Sequence, residues 1–281
     1  MGVRHRRAGP KRQTVKETFL SWLTTRLRLL MVAVAWACLC VPVSALNVKQ
    51  LEPSEADTLH AILSALQAPI TAKQQNGTAP LLTWQELYEP LAPEHRVFLE
   101  AFRALRAETL GAISHFFQEP PIEYDLVPVG TQTIRTRDVS SPLDPQYLPR
   151  NVYEAYRRMM DAMERDLGKR LLVESGYRSS AYQLYLFLYY LPKHDHSITE
   201  TNRFVALPGY SEHGCVPRQA IDFINQEGVN GEDHPEEFEA LPEYAWLTQH
   251  ASAFGFALSY PRDNPFHTSF EPWHWHFESS H

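Results

Sequence analysis

Cysteine is scarce: Cys38, Cys40 and Cys215 are the three in 281 residues. The first two fall in a leader-like segment, so the mature chain keeps only Cys215 and has no internal disulfide. An exported fold of this kind must rely on its core and on a metal. Cys215 lies two residues from His213, and a small buried hydrophobe is a better reading of it than a thiolate ligand. Bases are equally scarce outside the first 45 positions, which hold eight of them (Arg4, Arg6, Arg7, Lys11, Arg12, Lys16, Arg26, Arg28) against Glu17 alone. Taking these from the chain's 26 bases and 33 acids leaves 18 and 32, so residues 46–281 carry a formal charge of −14. A body that acidic excludes nucleic acid as a partner.

The apolar run from Leu29 to Leu46 has 18 residues, short of the roughly 20 that a membrane span needs. It follows the basic stretch and ends in Val41-Pro42-Val43-Ser44-Ala45, small residues that suit cleavage after Ala45. Residues 1–45 are therefore expected to be an export signal, giving a periplasmic or secreted protein. An uncleaved anchor and a lipoprotein signal at Ala37-Cys38 are the alternatives. Arg6-Arg7 lacks the apolar pair of a twin-arginine signal. With 44% hydrophobic and 12% aromatic residues the chain has ordinary globular composition.

Residues 46–120 read as a helical N-terminal region without a catalytic pattern. Ser54 is expected to cap a helix through Leu66, with Leu59, Ile62, Leu63 and Leu66 at helical spacing. A second helix is expected from Pro93 to about Ile113, and Asn76-Gly77-Thr78 reads as a turn between the two. Pro120-Pro121 marks a break, and Ile122–Val129 then reads as a strand meeting Gly130. The segment Arg137–Pro149 reads as a linker or as a loop over the site. Asn151–Gly168 has a helical period whose methionines, Met159, Met160 and Met163, suit a core. A strand over Arg170–Glu174 leads into Ser175-Gly176-Tyr177-Arg178, and the next helix, Ala181–Leu191, carries Gln183. Arg178, on a turn beyond a strand, is well placed to meet an anion.

Three later segments carry metal-ligand chemistry: Ser211-Glu212-His213, Ala220-Ile221-Asp222, and Glu271-Pro272-Trp273-His274-Trp275-His276. A catalytic zinc takes three side-chain ligands and leaves a fourth position for water. His213, Asp222 and His274 suit those places, and Glu271 is left as a proton carrier.

In this order, Ser-Gly-Tyr-Arg-Ser with a Gln-bearing helix, Pro-Gly-Tyr-Ser-Glu-His, Ala-Ile-Asp and Glu-Pro-Trp-His-Trp resemble the zinc D-alanyl-D-alanine carboxypeptidases, whose fold is shared with the hedgehog signalling domain. The resemblance covers residues 147–281. It implies an α+β fold over 121–281, with a small, mainly antiparallel sheet and packed helices. It implies one Zn2+ on His213, Asp222 and His274, with Glu271 as general base and Arg178 on the oxyanion. Ser211, Gln183, Tyr177 and Trp273 would contact substrate. The implied partner is a peptidoglycan stem peptide, cut at its terminal D-alanine. A related endopeptidase or dipeptidase, or a zinc protein without turnover, are the other readings.

Two departures stand out. His213 and Asp222 are nine positions apart where the family has seven, so Gly214–Gln219 reads as a connection with two extra residues. His276 stands where relatives often have arginine. It would share a strand face with His274, and could be a further ligand, a partner of a ligand, or a surface residue. On a regular strand Glu271 would face away from His274, so the backbone near Pro272 is expected to be irregular. The acidic stretch Glu227–Glu239, with His234, reads as a solvated insertion and not a second metal site. Tyr182, Tyr185, Tyr189 and Tyr190 read as a packed helix face. His194, His196, His250 and His267 have no partner spacing.

Overall fold

The computed structural model describes residues 1–2, 46–111, 116–117, 125–137, 139–266 and 268–278. Outside them lie the export segment (apart from its first two residues), Ile113, the Pro120-Pro121 break and His267. Among the described residues no helix is long and apolar enough to cross a membrane.

The first half is helical. Helix α1 spans Pro53–Gln75, α2 spans Trp84–Tyr88 and α3 spans Pro93–Arg103. Glu52, not Ser54, caps α1, because Pro53 already occupies its first turn; Glu52 and Glu55 bond each other's backbone N–H in a capping box. The helix also runs past Leu66 and through Pro69, since Leu59, Ile62, Leu66 and Ile70 continue one buried row. It stops at Asn76, and Gly77 follows in the left-handed region at φ 67°. Helix α3 ends ten residues before Ile113. Phe102 and Ala107, the next buried positions, are five apart, a spacing no helix face repeats, and Ala107–Leu110 forms a separate 3-10 turn.

The second half is mixed. Strands β1 (Leu126–Pro128) and β4 (Tyr147–Pro149) pair, as do β2 (Thr133–Thr136) and β3 (Val139–Pro142). Arg137–Pro149 is therefore strand-bearing and not a linker; β4 runs straight into helix α4, Arg150–Leu167. Then come β5 (Leu171–Ser175), helices α5 (Ser180–Tyr190) and α6 (Ile198–Thr201), β6 (Ala220–Asn225), helices α7 (Pro235–Glu239) and α8 (Pro242–His250), β7 (Phe256–Leu258) and β8 (His274–Phe277). The last four strands form an antiparallel sheet in the order β5-β6-β8-β7.

Two apolar cores support these halves. In one, Leu59, Ile62, Leu66, Leu99 and Phe102 pack with Ala181, Leu184, Phe187 and Leu188 of α5. In the other, Val152, Met159, Met160 and Met163 of α4 meet Val173, Ile221, Phe223 and Trp275 of the sheet. Along β6 and β8 the alternation of a strand sends Ile221, Phe223 and Trp275 into this core and leaves Asp222, His274 and His276 for the other face. The core joining α5 to the N-terminal helices is tight enough to test: Phe187, fully buried beside Phe102 at a ring separation of 6.3 Å, should cost about 3–5 kcal/mol when replaced by alanine. Chemical denaturation monitored by circular dichroism would measure it.

The acidic stretch is not simply solvated. Gly231 is buried against Trp273 with no room for a Cβ, Ile224 bridges to Asn230, and Phe238 is fully buried. Its acids face water, but its backbone folds over the sheet beside the site. In the tyrosine row, Tyr182 and Tyr185 pack against the first core as expected, whereas Tyr189 is 48% exposed.

Candidate active site

Three side chains converge on the polar face of the sheet. Asp222 and His274 are direct cross-strand partners on β6 and β8. His213 reaches them from a 3-10 turn, Glu212–Gly214, whose first N–H groups are capped by the Ser211 hydroxyl, which accepts from His213 N at 3.3 Å. The connection with two extra residues folds as a second 3-10 turn, Val216–Arg218, and returns the chain to β6. Both ligands consequently point inward: His213 Nε2 lies 3.0 Å from Asp222 Oδ2, and His274 Nδ1 lies 2.8 Å from Asp222 Oδ1. One ligand atom from each of the three falls within 4.8 Å of the others, and no other such group occurs among the described residues.

The protons say what this arrangement wants. His213 Nδ1 donates to the Gly176 carbonyl at 2.7 Å, which leaves Nε2 as a lone pair. That Nε2 is buried without a hydrogen bond and faces a carboxylate oxygen. Two acceptors this close in a buried site call for a cation between them. Burial, then the charge of Arg178, lowers His213 to about 4, so its imidazole is neutral and ready to ligate. Burial acts against ionised Asp222, but the charge of His274 and its hydrogen bond hold the carboxyl below its usual range. His274 shows the opposite balance. Burial alone would lower it, yet Asp222 and Glu212 together raise it to about 10.

The donor set, two imidazoles and a carboxylate, fits zinc. Because His274 is raised, a metal entering at neutral pH displaces a proton from its Nδ1. Zinc affinity should therefore climb with pH below about 10, by up to about tenfold per unit, with proton release on binding. Chelator competition at several pH values would measure the slope.

Glu271 and Arg178 border this cage. The Glu271-Pro272-Trp273 turn precedes β8, and the strand begins only at His274. This turn carries the Glu271 carboxylate to 3.8 Å from His274 Nδ1, which a continued strand would have prevented. Burial, opposed by His274 and helped by Asp222 and Glu212, pushes Glu271 up to about 7. Arg178 follows β5, where Gly176 lies too close to the Tyr147 carbonyl for any Cβ. Gln146 Oε1 and Tyr147 O accept from Gly176 N and Tyr177 N, fixing the turn from behind. Arg178 N in turn donates to His213 O, and its buried Nε makes no hydrogen bond.

The remaining expected residues are spread around the cage. Tyr177 and Trp273 are half-buried, and Trp273 packs on Gly231 and against the second core. Ser211 caps the His213 turn. Gln183 is 2% exposed; its Nε2 donates to Ala206 O, bracing the loop before Ser211, and its Oε1 is buried without a hydrogen bond. His276 stays outside the three-ligand group; it is buried, with Nδ1 at 2.8 Å from Ser259 Oγ and Nε2 at 3.1 Å from Glu278 Oε1. Cys215 is buried, and burial raises its thiol. His194 stacks on Phe204, His250 lies tilted against Trp246, and His234 is exposed near Glu237.

The sequence reading missed Glu212, Arg218 and Ser259, which meet behind His274. It also missed Tyr260, whose ring lies 5.0 Å from that of His274. Glu174 went unnoticed too; burial, followed by the charge of Asp222, raises it to about 7. The one available signal was Glu212 itself, a carboxylate directly before a ligand.

Comparison with known proteins gives a consistent picture. Residues 145–280 match the family described as VanY, D-alanyl-D-alanine carboxypeptidase. The chain is 28% identical over 139 residues to the carboxypeptidase-type protein YodJ of Bacillus subtilis (strain 168), covering 47% of this chain and 46% of that one. It is 31% identical over 133 residues to the bifunctional D-Ala-D-Ala dipeptidase and carboxypeptidase VanXYC of Enterococcus gallinarum, covering 47% and 67%. The match thus spans about half of the first relative and two thirds of the second. A solved structure of VanYB in complex with D-alanine-D-alanine superposes with a TM-score of 0.42 at 21% identity, over 59% of this chain and 85% of that one.

Proposed function

The chain belongs to the VanY family of D-alanyl-D-alanine carboxypeptidases, and on that premise we propose that it is a zinc-dependent D,D-carboxypeptidase that removes the terminal D-alanine from peptidoglycan stem peptides. The observation that carries this reading is the buried, unpartnered His213 Nε2 facing Asp222 beside His274. Those three residues would hold one zinc ion, which when bound lowers the pKa of water and polarises a carbonyl.

The protein's own groups do the rest. Glu271 takes the proton from the attacking water and passes it to the departing amine, a task suited to a carboxyl raised to about 7. Arg178 sets its guanidinium where negative charge grows on the scissile carbonyl oxygen, and Nε already lacks a competing partner. Tyr177 and Trp273 form walls that orient the peptide. Residues 1–45 direct export, so that the body acts in the periplasm or outside the cell, where its substrate is.

Zinc titration into metal-free protein tests the reading. Binding should saturate at one ion per chain, and D-alanine release from a D-Ala-D-Ala-terminated pentapeptide should track occupancy. Turnover that persists in excess chelator would overturn the zinc mechanism.

A further inference from the structure

His274 uses its two ring nitrogens in different directions. Nδ1 faces Asp222 in the metal cage, while Nε2 faces Glu212 Oε2 at 3.0 Å. Glu212 is 3% exposed, and both of its oxygens are held: Oε1 accepts from Arg218 Nε at 2.6 Å, and Oε2 accepts from Ser259 Oγ at 2.5 Å. Ser259 is anchored in turn by His276 Nδ1 at 2.8 Å. A buried carboxylate is costly unless such donors surround it. A simple ion pair with Arg218 would not need the second oxygen aimed at a ligand ring.

We propose that Glu212 is a positioning residue of the metal centre: it accepts the His274 Nε2–H, which fixes the ring and turns the Nδ1 lone pair toward the ion. Arg218 and Ser259 hold Glu212 in place. Arg218 comes from the Gly214–Gln219 connection, so the loop that joins two ligands also steadies the third. The chemistry is that of a carboxylate–histidine–metal relay, in which the outer carboxylate sets the tautomer and raises ligand basicity. The inference rests on the reading of His213, Asp222 and His274 as a zinc site.

Glu212→Gln keeps the shape and removes the charge. Zinc affinity by chelator competition should fall by about 10- to 100-fold relative to wild type. The zinc form of the wild type should also show a slowly exchanging His274 Nε2 proton by NMR, and the variant should lose that protection, an effect that a remote structural role would not produce. Affinity within twofold of wild type and an unchanged Nε2 proton would overturn the assignment. Should Glu212→Gln fail to fold, Ser259→Ala removes only one anchor of Oε2. A severalfold loss of zinc affinity in Ser259→Ala supports the role, and wild-type affinity overturns it. Wild-type protein that binds no zinc would overturn the metal site itself, and the role of Glu212 with it.

Discussion

Glu271→Gln is expected to lower kcat on a D-Ala-D-Ala-terminated pentapeptide by about 10²- to 10⁴-fold, the usual contribution of a positioned general base. The turn at Pro272 brings its carboxylate to 3.8 Å from His274 Nδ1, beside the cage but outside it. Zinc stoichiometry and thermal unfolding should therefore stay near wild type, which separates loss of a proton carrier from loss of the site. The pH profile adds a second check. Burial raises Glu271 to about 7 in the metal-free protein, and a nearby cation favours the ionised form, so the working value should lie lower. Wild-type kcat/KM should rise with pH through that value and level off above it. Turnover of the glutamine variant within threefold of wild type would remove Glu271 from the mechanism.

Arg178→Ala carries the second large effect, a loss of about 10²- to 10³-fold in kcat/KM, as expected when one preorganised oxyanion donor is deleted. The backbone of Arg178 donates to His213 O and is unaffected by the change. What disappears is a guanidinium whose Nε is buried without a hydrogen bond in the free protein, and the scissile carbonyl oxygen is the partner the mechanism assigns to it. Arg178→Lys should recover only part of the rate, because an ammonium lacks the planar fork. Removing the cation also lifts one of the influences that lower His213, so the alanine variant should bind zinc more weakly at acid pH. Steady-state kinetics on the zinc-loaded variants measures the first effect and chelator competition the second.

Much of this site was legible in the sequence because strands report faces directly. Period two put His274 and His276 on one side, and in the structure the antiparallel register sets Asp222 opposite His274. The methionines of α4 followed their helical period into the core. Failures arose where backbone geometry overrides period. The helix expected to reach Ile113 ends at Arg103, and the apolar residues that follow, Leu105, Ala107 and Leu110, reach the same core from a loop and a separate 3-10 turn. Pro53 moved the cap of α1 from Ser54 to Glu52. The acidic stretch hid Gly231 and Phe238, two residues whose burial no charge pattern announces. Glu212 was missed for a related reason: its partners Arg218, Ser259 and His274 are 6, 47 and 62 positions away, and only folding brings them together.

The most direct test is mass spectrometry of the products from a pentapeptide-containing muropeptide incubated with the zinc-loaded protein. Loss of a single C-terminal alanine, in the zinc-loaded but not the metal-free sample, is the predicted result. Removal of a dipeptide, cleavage nearer the glycan, or an intact substrate in the presence of bound zinc would contradict the assignment of a D,D-carboxypeptidase.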